Sequence, residues 1–266
     1  MAKQASVHVV VDENEPLDYT HTSTIRIRAV PLIFARALTR AYETSQQACV
    51  SVIDEWVRAE KRAHERLATV TQAGDDFEGS YVAKILEFIP DNSTLWVGNS
   101  MAIRALDTFM EYSPVRVLAN RGLNGIDGTT SSALGAHTAL APAPTTLLVG
   151  DLTLLHDLNA FALAPELRRA GIDAPFVVVC LNNGGGAIFD MLPQRSSEPY
   201  FERLFLTPQE VDFAGVAQMF RVDYAKVETV SGFESAYSVA LERAGISLID
   251  VRVPLAGVPE RYARFW

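Results

Sequence analysis

The chain has 266 residues and a net charge of −9, with 23 Lys and Arg against 32 Asp and Glu. This length holds one large domain, or one domain and part of another, and 48% hydrophobic content can bury a full core. The acidic balance argues against a nucleic-acid backbone as partner, no apolar stretch approaches the roughly 18 residues of a membrane span, and Met1–Gln4 lacks a signal-peptide core. Cys49 and Cys180 are too few for a disulfide framework and lack metal-ligand spacing, so a reducing cytoplasm is expected.

Residues 6–12 read as a strand and 13–29 as polar, irregular chain. Two helical stretches follow, 30–43 and 46–69. The second carries Asp54, Glu55, Arg58, Glu60, Lys61 and Arg62, which read as a solvated face. Residues 70–78 read as a linker. One strand cannot make a sheet, so 1–78 is expected to be the tail of another domain.

From residue 79 the pattern is regular. It runs helix 79–89, strand 94–97, helix 101–111, strand 115–118, glycine loop 120–130, helix 131–140 and strand 145–149. It continues with helix 154–169, strand 175–181, an irregular segment 187–209, helix 211–219, strand 222–226, helix 231–243 and strand 247–252. Strands alternating with helices predict an α/β domain over 79–266, a parallel sheet flanked by helices on both faces. The apolar runs Thr145–Val149 and Pro175–Leu181 suit strands buried on both faces.

Each of those runs ends in polar chemistry. Gly150-Asp151-Leu152-Thr153 follows the first, and Asn182-Asn183-Gly184-Gly185-Gly186 the second. In a parallel sheet such ends share one rim, where ligands bind. Asp151 offers an anionic oxygen and Asn183 a neutral carbonyl oxygen, a set that suits a small divalent cation shared with a diphosphate. A helix after Asp151 would aim its first N–H groups at the same phosphate. Taken singly, an N-cap Asp and an Asn-Gly turn are common; paired at matched strand ends they favour a site.

Two more strand ends carry candidate ligands. Gly98-Asn99-Ser100 precedes Arg104, which shares a helical face with Ser100. Asn120-Arg121-Gly122-Leu123-Asn124-Gly125-Ile126-Asp127-Gly128 forms a loop able to wrap a ligand. Arg121 supplies a planar, permanent charge suited to a carboxylate. Arg104 could equally make a surface ion pair with Asp107 or Glu111. His156 follows the Asp151 turn and could be a base or a satisfied helix histidine; Asp157 could support the loop. Glu198 and Glu202 receive no role.

The paired turns resemble the bipartite diphosphate motif of thiamine-diphosphate (ThDP) enzymes, with Leu152 in place of the usual third glycine. All four motifs together resemble the 2-succinyl-5-enolpyruvyl-6-hydroxy-3-cyclohexene-1-carboxylate synthases of menaquinone and phylloquinone biosynthesis, a branch that carries this leucine. Upstream, Val9–Asp12 and Pro16…Thr20-His21-Thr22 resemble the end of that family's central domain.

The resemblance implies roles. Asp151, the Asn183 side chain and the Gly185 carbonyl would hold Mg²⁺ or Mn²⁺. Gly150, Leu152 and Thr153 would border the diphosphate, with Thr153 on a phosphate oxygen. Ile126 would bend the cofactor, and Ile188 and Phe189 would line its apolar wall. Ser100, also at the cofactor pocket, would join Arg104 and Arg121 in holding substrate carboxylates. The family decarboxylates 2-oxoglutarate on ThDP and adds the succinyl unit to isochorismate. Its pyrimidine-binding domain, which completes the site in a homo-oligomer, is not found in this sequence. The chain is therefore expected to be a fragment, a split subunit or a degenerate relative. Another ThDP lyase or decarboxylase and a non-catalytic interaction subunit are the alternatives.

Overall fold

The structure, a computed structural model, describes residues 6–15, 18, 20–45, 50–73, 77–110 and 113–265. The chain start, Pro16, Cys49 and Glu111 lie outside the described residues. Two compact units are present, Met1–Lys61 and Arg62–Trp266.

In the first unit, β1 (Val9–Asp12) pairs in parallel with β2 (Ile25–Arg28), Val9 opposite Ile25. The second strand corrects the irregular chain expected over 13–29. Its sequence, Ile-Arg-Ile-Arg, alternates as a strand should, but it is only four residues long and emerges from polar Thr and Ser. Helix α1 (Pro31–Ser45) follows, and α2 (Val50–Ala73) crosses the boundary between the units.

The second unit continues in chain order with α3 (Glu78–Phe88), β3 (Thr94–Val97), α4 (Met101–Phe109), β4 (Arg116–Ala119), α5 (Thr129–Leu140) and β5 (Thr145–Gly150). Next come α6 (Asp151–His156), α7 (Ala164–Arg169), β6 (Pro175–Asn182), α8 (Phe213–Phe220), β7 (Asp223–Val227), α9 (Val230–Leu241), β8 (Gly245–Arg252) and α10 (Val258–Tyr262). The six strands form one parallel sheet in the order β4-β3-β5-β6-β8-β7.

Side chains along a strand alternate between faces, and both faces here are covered. Val177, Val179 and Leu181 join one core with Tyr81, Ile85, Phe233 and Tyr262. Phe176, Val178 and Cys180 join the other with Leu134, Phe161 and Phe213. The unbroken apolar run of β6 is the direct consequence. Cys180 is fully buried, and burial pushes its thiol well up, which makes it a packing residue.

Two differences from expectation bear on the site. The helix expected over 154–169 is three pieces: α6, a 3₁₀ turn at Leu158–Leu163, and α7. Asp157 breaks it, with a φ of −128° and a carboxylate that accepts from the Ser131 N–H (2.7 Å) and hydroxyl (3.0 Å). The linker read over 70–78 also ends sooner. Phe77 packs edge-on against Phe109 and stacks on Phe265, and Glu78 opens α3.

Candidate active site

β3 and β5 are neighbours whose onward connections diverge. Helix α4, leaving β3, packs on one face; α6 and α7, leaving β5, pack on the other. Such a switch point opens a crevice beyond the carboxyl ends of the strands. A cavity of about 390 Å³ lies there, a size that suits a small molecule.

The twelve residues to which the resemblance assigns a role all line this cavity, whereas His156 and Asp157 do not. The connections after β3 and β4 contribute Ser100, Arg104, Arg121 and Ile126. The β5–α6 turn contributes Gly150, Asp151, Leu152 and Thr153, and the turn after β6 contributes Asn183, Gly185, Ile188 and Phe189.

Asp151 is 3% exposed. One carboxylate oxygen accepts from the Leu152 N–H at 2.9 Å. The other, Oδ2, is buried without a hydrogen-bond partner. Burial pushes the carboxyl up to about 6, against the peptide N–H groups of Leu152, Gly184 and Gly185, which favour the charged form. Gly184 and Gly185 belong to the turn after β6, so acid and turn face one another. An orphaned buried oxygen is costly, and a bound cation would offset that cost.

The donor chemistry fits Mg²⁺ or Mn²⁺. Asp151 gives a carboxylate, Asn183 an amide oxygen and Gly185 a peptide carbonyl, all hard ligands. Asn183 Oδ1 accepts from the Gly185 N–H at 2.9 Å and keeps a second lone pair. Among the described residues no three His, Cys, Asp or Glu side chains cluster as a metal site. A cation here would therefore draw its other ligands from neutral oxygens, solvent and a diphosphate.

The turn tolerates little beyond glycine. Gly184 has φ +78°. A Cβ on Gly185 would lie 2.5 Å from the Leu206 carbonyl oxygen, and one on Gly186 2.7 Å from that of Phe205. The Gly186 N–H donates to Leu206 O at 2.7 Å, and the Gln209 N–H to Gly184 O at 2.8 Å. Residues 202–209 thus hold the turn against the cavity.

At the other end, Asn99 organises the glycine loop. It is 3% exposed. Its Nδ2 donates to the carbonyls of Asn120 (3.0 Å) and Gly125 (2.6 Å), and its Oδ1 accepts from Arg121 Nη1. Arg121 is therefore held rather than free. Arg104 Nη1 donates to the Ser100 carbonyl at 2.9 Å. Ser100 itself adopts φ +64°, ψ −132°, a sparsely populated region for a residue with a side chain.

Two buried polar residues of the cavity received no role from the sequence, Asn99 and Glu78. Asn99 received no role of its own, because its partners lie beyond α4 and β4 in the sequence. Glu78 was placed in the linker; it is 1% exposed, burial raises its carboxyl, and its nearest cation is Arg261 Nη2 at 3.5 Å. Neither His137 nor His156 lines the cavity. His137 is buried, bonded to the Thr145 hydroxyl at 3.0 Å, and burial lowers its pKa. His156 Nε2 lies 3.6 Å from Asp127 Oδ1 of the glycine loop, both side chains at the surface.

The fold and the paired turns define a class, the ThDP-binding α/β domain. The chain belongs to the thiamine pyrophosphate enzyme family, matching its C-terminal TPP binding domain over residues 97–251. Curated relatives carry the name 2-succinyl-5-enolpyruvyl-6-hydroxy-3-cyclohexene-1-carboxylate synthase. One from Bacillus pumilus is 39% identical over 77% of this chain and 35% of its own length. Another, from Lysinibacillus sphaericus, is 33% identical over 99% of this chain and 45% of its own. The chain thus spans less than half the length of these relatives. The solved Rhodococcus jostii RHA1 thiamine diphosphate-dependent 4-hydroxybenzoylformate decarboxylase shares the fold, with TM-score 0.57, 22% identity, and coverage of 67% of this chain and 32% of that one.

Proposed function

We propose that this chain is the diphosphate- and metal-binding part of a ThDP-dependent synthase that decarboxylates 2-oxoglutarate and joins the succinyl unit to isochorismate in menaquinone biosynthesis. The observation that carries this reading is the buried, unpartnered oxygen of Asp151, set against the Asn183–Gly185 turn with arginines across the same cavity. Asp151, Asn183 and the Gly185 carbonyl would hold Mg²⁺ or Mn²⁺, and Thr153 a phosphate oxygen. ThDP, when bound, supplies the electron sink for decarboxylation and carbon–carbon bond formation. The protein orients and neutralises. Ile126 would contact the cofactor, Ile188 and Phe189 would exclude water, and Ser100, Arg104 and Arg121 would hold substrate carboxylates. Two cations suit dicarboxylates better than a small monocarboxylic keto acid, which favours this reaction over other ThDP lyases.

The pyrimidine end of the cofactor would be met by a domain outside this chain, as the length of the relatives suggests. A cytoplasmic homo-oligomer is the expected setting. Residues 1–78 fit the remnant of a central domain, because a parallel pair such as β1–β2 normally belongs to a larger covered sheet.

Calorimetric titration of ThDP with Mg²⁺ tests the reading. Binding should require Mg²⁺ and vanish in Asp151→Ala. Binding indifferent to that substitution overturns the metal assignment.

A further inference from the structure

We propose that Asp250 is a positioning residue for the cation-binding turn, acting through the amide of Asn182, with Tyr224 fixing its other oxygen. The consequence for the metal rests on the function proposed above; the contacts do not. Asp250 lies in β8, opposite Cys180 of β6, and is 3% exposed. A carboxylate in so buried a strand needs partners. Its Oδ1 accepts from Asn182 Nδ2 at 2.8 Å, and its Oδ2 accepts from the Tyr224 hydroxyl at 3.1 Å. The Asn182 amide then turns outward, and its Oδ1 accepts from the Gly184 N–H at 3.1 Å. Four groups from β7, β8, β6 and the following turn make one chain of hydrogen bonds.

The chemistry explains why an acid stands at 250. A carboxylate only accepts, so Asn182 must present its NH₂ to Asp250 and its carbonyl to Gly184. An amide at 250 has a donor and an acceptor and removes that constraint. Asn182 could then flip and set its NH₂ against the Gly184 N–H, two donors facing each other. Gly184 sits at φ +78°, between Asn183 and Gly185, whose oxygens are assigned to the metal. Fixing its N–H fixes the direction of the turn. Mg²⁺ demands a small, near-octahedral cage, so a loosened turn penalises it more than the larger, more permissive Ca²⁺.

Amide hydrogen exchange in the ligand-free chain tests the relay directly. Asp250→Asn should speed exchange at Gly184 about tenfold and Tyr224→Phe about threefold, with Val177–Cys180 of β6 unchanged. In ThDP titrations, Asp250→Asn should raise the half-saturating Mg²⁺ concentration more than that of Ca²⁺. Unchanged exchange at Gly184, uniform acceleration along β6, or equal weakening for both ions overturns the proposal. If Asp250→Asn fails to fold, Tyr224→Phe alone decides it by the same exchange pattern. If the wild-type chain binds no ThDP with any metal, the cation reading falls, and the exchange data still judge the relay.

Discussion

Asp151 stores unfavourable energy in the metal-free chain. Its carboxyl is held at about 6, above the ordinary 3.8, so the folded state binds a proton that the unfolded state has released between those values. Stability should therefore fall as pH rises from about 4 to about 6, with a slope of at most about 1.4 kcal/mol per pH unit. Asp151→Asn should flatten that slope and raise the metal-free melting temperature at about pH 7.5, while abolishing metal-dependent binding. Thermal scans across pH without metal check it; an unaltered slope in the variant would assign the effect to another group. Ser100 makes a parallel case. Its φ of +64° costs a residue with a side chain roughly 1–3 kcal/mol. Ser100→Gly should stabilise the fold by about 1 kcal/mol and weaken binding of a dicarboxylate. Calorimetric melting and ligand titration on the same sample separate the two effects.

Among elements, Gly185 in the turn after β6 and Gly122 in the loop after β4 differ in the space around them. At Gly185 a methyl group meets the Leu206 carbonyl oxygen at 2.5 Å; at Gly122 it meets nothing within 4 Å. Gly185→Ala should therefore cost ThDP–Mg²⁺ affinity about tenfold or more through displacement of the turn, whereas Gly122→Ala should stay within about twofold. Equal losses would show that steric fit at the turn does not govern binding. The same contrast explains what the sequence made legible. β5 and β6 announce themselves because burial on both faces forces unbroken apolar runs, and their polar ends locate the rim. β2 is hidden, since half of its residues are arginine and only its pairing with β1 defines it. The break after α6 depends on Asp157 reaching Ser131, a contact no local pattern encodes. Asn99 and Asp250 carry no local signal of their own; their contacts come from partners brought in by the folded sheet.

On the scale of the whole molecule, each of the two units displays large apolar side chains to solvent. Leu123, at the tip of the loop that carries Arg121 and Ile126, is 98% exposed. In the first unit, Leu32, Ile33 and Leu38 of α1 are each more than half exposed. Apolar groups displayed in this way commonly mark surfaces that meet a partner. A leucine touching nothing contributes little to folding, so Leu123→Asp should leave the melting temperature unchanged within error. If the rim around the loop is where a pyrimidine-binding domain docks, the same change should weaken capture of such a domain, supplied separately from a relative, by about tenfold or more, because the added aspartate would have to be desolvated at the contact. Sedimentation velocity of the two proteins, alone and mixed, reads both self-association and capture. Capture of equal strength by wild type and Leu123→Asp would place the docking surface elsewhere. A wild-type chain that sediments as a single monomer at every concentration would remove the case for association through its exposed apolar residues.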